Sequence, residues 1–344
     1  MTTFTNSRQA GHSMVELVVV AALLGVLVYA VSTLSVSGAE SQEYARRVSR
    51  ATEVSHDLID QMRTDLVSSV RTFGNNTEGN ENLDVLDLAG APVPLSGLRL
   101  PTLATGESLR PDTSSSEITG NSLFFTKLAW SDRFVCSSAN EYYIDVYRWV
   151  YYYLTPEDGG PVAGRPIGLN IVRIESEPLV DAAAIDRITD LADQREVLIH
   201  LSTATPDADG DSHPRCEVVW RRGELPSVIG TFRQIDEASW TLSDSPIDPR
   251  QDPWQVERSV DLVTGLLSFR HHSVATNFAR ANFGVGRYGI MDTTGAGFPH
   301  GFEVQVVGPA SARQAVLHLV VSSTNRRGQW AWNGVQVVVD THDQ

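Results

Sequence analysis

The sequence predicts an α+β protein: one long N-terminal helix followed by a large β-rich head. Three observations carry this. Residues 17–39 contain no charged side chain. A helical periodicity continues beyond them, with no proline before Pro92. From Ser122 onward, segments rich in Val, Ile, Tyr, Phe and Trp alternate with Gly/Pro/Asp/Ser-rich breaks, the pattern of strands and turns.

Composition sets the outer limits. The 344 residues are 42% hydrophobic and 20% charged, the balance of a folded chain and neither a disordered nor a polytopic membrane one. The net charge of −15 speaks against nucleic acid as a partner, because phosphate binding needs clustered cations. Arg46/Arg47, Arg221/Arg222 and Arg326/Arg327 are pairs only, read as solvated surface.

The run 17–39 is 23 residues long. As a helix it spans about 34 Å, enough for a bilayer core. A cleaved secretory signal is one alternative, with Ser35-Val36-Ser37 or Ser37-Gly38-Ala39 as the cleavage site; a plain anchor is another. Glu16 speaks against both, because a carboxylate at the head of such a run is costly in lipid and calls for a functional reason.

The stretch Gly11-His12-Ser13-Met14-Val15-Glu16, running into Leu17-Val18-Val19-Val20-Ala21-Ala22-Leu23-Leu24-Gly25, resembles the processing site of type IV prepilins and pseudopilins. The resemblance implies a leader of residues 1–11 removed by prepilin peptidase after Gly11. His12 becomes the first mature residue and is N-methylated, and Glu16 stands fifth. His12 departs from the family's usual Phe, and Thr33 from the helix-breaking Pro that many major pilins carry. Glu16 is then the subunit-assembly residue: its carboxylate meets the positive N-terminus of a neighbour in the filament, a buried charge tolerated by pairing. The implied partners are other pilins or pseudopilins, the peptidase and an inner-membrane assembly platform. The implied location is the inner membrane as a single pass with a periplasmic head, then a filament reaching the cell surface.

The second stretch, 40–73, continues the helix in amphipathic form. Tyr44, Val48, Ala51, Leu58, Met62, Leu66, Val70 and Phe73 recur at mostly three- and four-residue steps. Glu43, Arg46, Arg47, Arg50, Asp57, Asp60, Arg63 and Asp65 are assigned to the opposite, polar face. The helix is expected to run from about 14 to 72 and to stop at Phe73-Gly74-Asn75-Asn76. The heptads are too few and irregular for a free coiled coil, so the stripe is expected to pack on the head.

The head is residues 74–344. Residues 74–122 read as loops with short strands. Strands are expected over 122–128, 142–154, 169–176, 196–203, 217–221, 254–259, 266–273, 302–307, 315–322 and 330–339, and a helix over 180–194. The strand from Tyr142 carries Tyr143, Tyr147, Trp149, Tyr151 and Tyr153 on one face and Ile144, Val146, Val150 and Leu154 on the other. It reads as central and covered on both sides.

The chemistry of the head is sparse. Cys136 and Cys216 are the only cysteines, and in an oxidising periplasm a disulfide between them is expected. Asp207, Asp209 and Asp211 flank Gly210 in a spacing that can converge on Ca²⁺. Ser212 and Val218 then stand where an EF-hand needs Gly and Glu, which favours a solvated acidic turn and no cofactor. No catalytic motif occurs in its required context, so the chain is read as a non-enzyme, with a membrane-anchored periplasmic binding module or enzyme as the weaker alternative. In layout it is similar to PilW-type minor pilins, with J-type pseudopilins of type II secretion as the close alternative. The head's bulk implies a low-copy subunit near the tip that helps to prime assembly.

Overall fold

The computed structural model describes residues 14–95, 97–104, 118–156, 169–176, 180–181, 185–202, 218–221, 232–236, 239, 241–243, 245–246, 254–255, 272–274, 301–309, 312–324 and 330–341. The chain divides into two compact units, Met1–Ser49 and Arg50–Gln344. The fold is α+β, as the sequence predicts.

The first described element is α1, Met14–Val67, a single helix of 54 residues. It carries the whole charge-free run in its first half, where Met14, Leu17, Leu23, Leu24, Leu27 and Val31 are exposed. In its second half Ala51, Leu58, Ile59, Met62 and Leu66 are buried, at the three- and four-residue steps that place them on one face.

The helix ends at Val67, short of the expected 72. Ser69–Phe73 instead forms strand β1. Val70 and Phe73 fit a helical stripe, yet the same residues read as a β-branched and aromatic strand, and pairing with a neighbouring strand decides the matter. The Ser68 hydroxyl donates to the Asp65 carbonyl at 2.8 Å and closes the helix end.

Residues 77–85, expected as loop, form α2, Thr77–Val85. Asn76 caps it, its side-chain oxygen accepting the Gly79 N–H at 2.8 Å, which satisfies one of the orphan donors at a helix start. The remaining elements are β2 (Leu103–Ala104), β3 (Leu123–Val135), β4 (Glu141–Pro156), β5 (Leu169–Glu175), β6 (Val180–Asp181), α3 (Leu191–Ser202), β7 (Val218–Arg221), β8 (Phe232–Asp236), β9 (Thr241–Ser243), β10 (Trp254–Gln255), β11 (His272–Val274), β12 (Phe302–Val307), β13 (Arg313–Thr324) and β14 (Trp330–Thr341).

Two expectations fail between 180 and 203. Val180–Asp181 is strand, paired with β8, and Leu191–Ser202 is helix. The cause is local. The Asp190 carboxylate accepts the N–H groups of Ala192 (2.8 Å) and Asp193 (3.4 Å). This caps a helix that starts eleven residues later than expected and runs through the stretch read as a strand.

The main sheet runs β1-β3-β4-β5-β11-β13-β12-β2, with β7 on β4, β10 on β5 and β14 on β13. Its pairs are antiparallel except β2 with β12. The strands β6, β8 and β9 form a small second sheet. Strand β4 is covered on both faces, as expected. Val150, Tyr152 and Leu154 point into a core shared with α1, β12 and β13. Tyr147, Trp149, Tyr151 and Tyr153 enter a second core with Phe73, Phe124 and Leu100. There Phe124 stacks on Phe73 with centroids 4.6 Å apart and meets Trp149 edge-on at 5.2 Å, geometries that the ring quadrupoles favour. The first core is thus a helix face laid on a sheet. That places the last turns of α1 against β3, β4 and β5.

Candidate functional site

Function is sought at two places along α1. The first is its start. Glu16 lies in the first helical turn, where a carboxylate suits the positive end of the helix dipole. Around it the surface is apolar on all sides: Val15 is 70% exposed and Leu17 67%. A Cβ added at Gly25 or Gly38 would meet nothing, so both glycines let another helix or a lipid chain approach the backbone. This is one helix long and apolar enough to cross a membrane. Gly11 and His12 lie outside the described residues.

The second place is the last turn of α1, inside the head unit. Asp65, assigned from the sequence to the polar face, is 3% exposed. It follows Met62 by three residues and so shares the buried face. Three strands supply its partners. From β5, Arg173 donates through Nε to Asp65 Oδ2 at 2.7 Å and through Nη2 to Oδ1 at 3.1 Å. From β3, Lys127 Nζ reaches Oδ1 at 3.0 Å. From β4, the Tyr152 hydroxyl donates to Oδ2 at 2.6 Å. Glu175 closes the cluster. It accepts from Arg173 Nη2 at 2.6 Å and Lys127 Nζ at 3.2 Å and pairs with Arg148 Nε at 3.4 Å.

The electrostatics follow from that geometry. Burial pushes the Asp65 carboxyl up, but the Arg173 hydrogen bonds and the charges of Lys127 and Arg173 outweigh it and hold the group down at about 2. Burial likewise pushes Glu175 up, and Lys127 and Arg173 reverse it, leaving Glu175 below the usual carboxylate range. Tyr152 is raised by burial and by the adjacent Asp65. Both carboxyl groups are therefore ionised at neutral pH. Removing one member of such a set leaves an uncompensated buried charge, which costs about 3–5 kcal/mol.

Cys136 is buried and has no disulfide partner among the described residues. Its Sγ donates to the Asp193 carbonyl at 3.9 Å. The Asp193 carboxylate gathers Ser138 (2.6 Å), Asn140 (2.6 Å) and Tyr142 (3.1 Å), tying the β3–β4 turn to α3. Burial, and then the carboxylates of Asp193 and Glu196, push the Cys136 thiol up to about 12. Its expected partner Cys216 lies outside the described residues, as do Asp207, Asp209 and Asp211.

The chain matches no protein family, no curated protein and no solved structure. The sequence pointed to Glu16 and the apolar run; it did not point to the Asp65 cluster. One signal for the cluster was present: a carboxylate three residues after Met62 and beside Leu66, on the apolar stripe itself.

Proposed function

We propose that this chain is a pilin-like structural subunit. It is held in the inner membrane by residues 12–39 and released from its leader after Gly11. It then joins a type IV pilus-like filament through the first half of α1. The observation that supports this most directly is the continuity of α1. One helix carries Glu16 at its start, a charge-free apolar surface over its first half and a buried apolar face over its second. A signal peptide has no need of a helix that continues into the head's core. The exposed apolar half suits lipid first and neighbouring helices afterwards, and Glu16 offers the carboxylate that a neighbour's free N-terminus pairs with. The size of the head favours a low-copy position near the tip. A minor pilin is the leading reading, and a minor pseudopilin of type II secretion is served by the same features.

The test is the mass and the N-terminal peptide of the chain isolated from its native membrane. A chain starting at His12, with or without one added methyl, is the expected result. A start near Ala39 or Glu40 would end the filament reading, and an intact Met1 would leave a plain anchored protein.

A further inference from the structure

We infer that Asp65 sets the axial register of α1 on the β-sheet, a role separate from stability and independent of what the helix anchors. The central row of the apolar contact does not fix that register by itself. The buried row steps by four: Leu58, Met62, Leu66, with Ala51, Ser55 and Ile59 beside it. Sliding α1 forward by one turn puts Leu58 in the place of Met62 and Met62 in the place of Leu66. Leu and Met exchange at little cost in a core. The same slide puts Ser55 in the place of Ile59 and Gln61 in the place of Asp65. The Leu58–Met62–Leu66 row therefore fits a second position about 5.4 Å away, while Ser55 in the place of Ile59 and Arg47 in the place of Ala51 weigh against it.

Asp65 removes the degeneracy. It accepts four hydrogen bonds from three side chains, and these stand on three different strands: Lys127 on β3, Tyr152 on β4 and Arg173 on β5. A slide of one turn would withdraw the carboxylate from all of them and leave Lys127 and Arg173 facing an amide. A buried polar group that specifies register, where an apolar one would only add stability, has its best-known parallel in coiled coils. One-turn ratchets of a helix past a packed element are a known mode of switching, and the cluster blocks that mode here.

The experiment moves the carboxylate. In the full chain in detergent micelles, with Cys136 and Cys216 replaced by Ala, spin labels are placed at exposed positions 57 on α1 and 336 on β14, and their separation is measured by electron–electron resonance. The parent chain is expected to give one distance. The swap Gln61→Asp with Asp65→Gln is expected to give a single displaced distance, with the last turn of α1 unwinding so that β1 stays in place. An apolar replacement of the seat, Asp65→Leu with Lys127→Met and Arg173→Met, is expected to keep the fold and show the displaced distance as a minor population beside the parent one. A swap chain that keeps the parent distance, or that fails to fold, overturns the inference. So does an apolar-seat chain that shows the parent distance alone.

Discussion

The same substitution at two places on α1 should have two very different costs. Leu58 is 1% exposed and sits in the core between α1 and the sheet. Leu24 is 62% exposed on the apolar half. Truncating Leu58 to Ala removes a fully buried side chain, a transfer loss of about 2 kcal/mol. The hole it leaves adds to this, so that about 3 kcal/mol is the expected destabilisation of the head. Truncating Leu24 removes nothing that the head's core uses, and the head should change by no more than about 0.5 kcal/mol. The assay is urea unfolding in detergent micelles, followed by tryptophan fluorescence. Trp149, 1% exposed in the second core, reports the loss of packing. With a urea slope of about 3 kcal/mol/M for a domain of this size, Leu58→Ala should lower the midpoint by about 1 M. Equal midpoints for the two variants would refute the reasoning, because α1 would then not be divided between a covered half and an uncovered one.

Two further outcomes follow from single groups. With its thiol pushed up to about 12 and its side chain buried, Cys136 should resist a maleimide at pH 8 in the folded chain and react once the chain is unfolded in urea. A chain that stays unlabelled in urea until a reductant is added would instead carry the Cys136–Cys216 bridge. Burial pushes His318 down to about 4 from its ordinary 6.5, although Glu303 Oε2 lies 3.7 Å from its Nδ1. Between those values the unfolded chain binds the proton and the folded chain does not. Stability is therefore complete above pH 6.5 and falls as the pH drops towards 4, by about 3 kcal/mol at about 1.4 per pH unit. His318→Gln should flatten that slope in urea midpoints measured from pH 7 to 4, and an unchanged slope would assign the loss to other groups.

The strands were the most legible part of this fold. Phe302–Val307 has the bounds that its alternation predicted, and Trp330–Thr341 extends the expected segment by two residues. The two-sided aromatic pattern of β4 was also readable, because a strand with no polar face has to be covered twice. Where the reading failed, two periods fitted the same residues. Val70 and Phe73 suit a helix face or a strand, and Val197-Leu198-Ile199 suits a strand or a helix. Partners outside the window settled the first case, and the Asp190 cap settled the second. At the candidate site, Glu16 and the apolar run are contiguous in sequence and so could be read directly. The Asp65 cluster could not be, since Lys127 and Arg173 lie 62 and 108 residues away. Strand order was hidden where it departs from the chain order: nothing local says that β11 lies between β5 and β13.

The seating of α1 also has a consequence in time. The helix is made first, while the strands that complete the core around it come from the far side of the head: Phe302, Val304, Leu317, Leu319 and Val339 share that core with Leu58 and Met62. The Arg313 guanidinium reaches the Thr72 carbonyl across 241 residues of chain. Contacts of such long separation form late. Until β12 to β14 have left the ribosome, the core around the Leu58–Met62–Leu66 row can hold only its β3, β4 and β5 side. A chain interrupted before residue 302 would thus carry a core open on one side, the kind of apolar surface that chaperones and proteases recognise. Synthesis of the last strands acts as a check on completeness, since only a finished head closes the core around the end of α1.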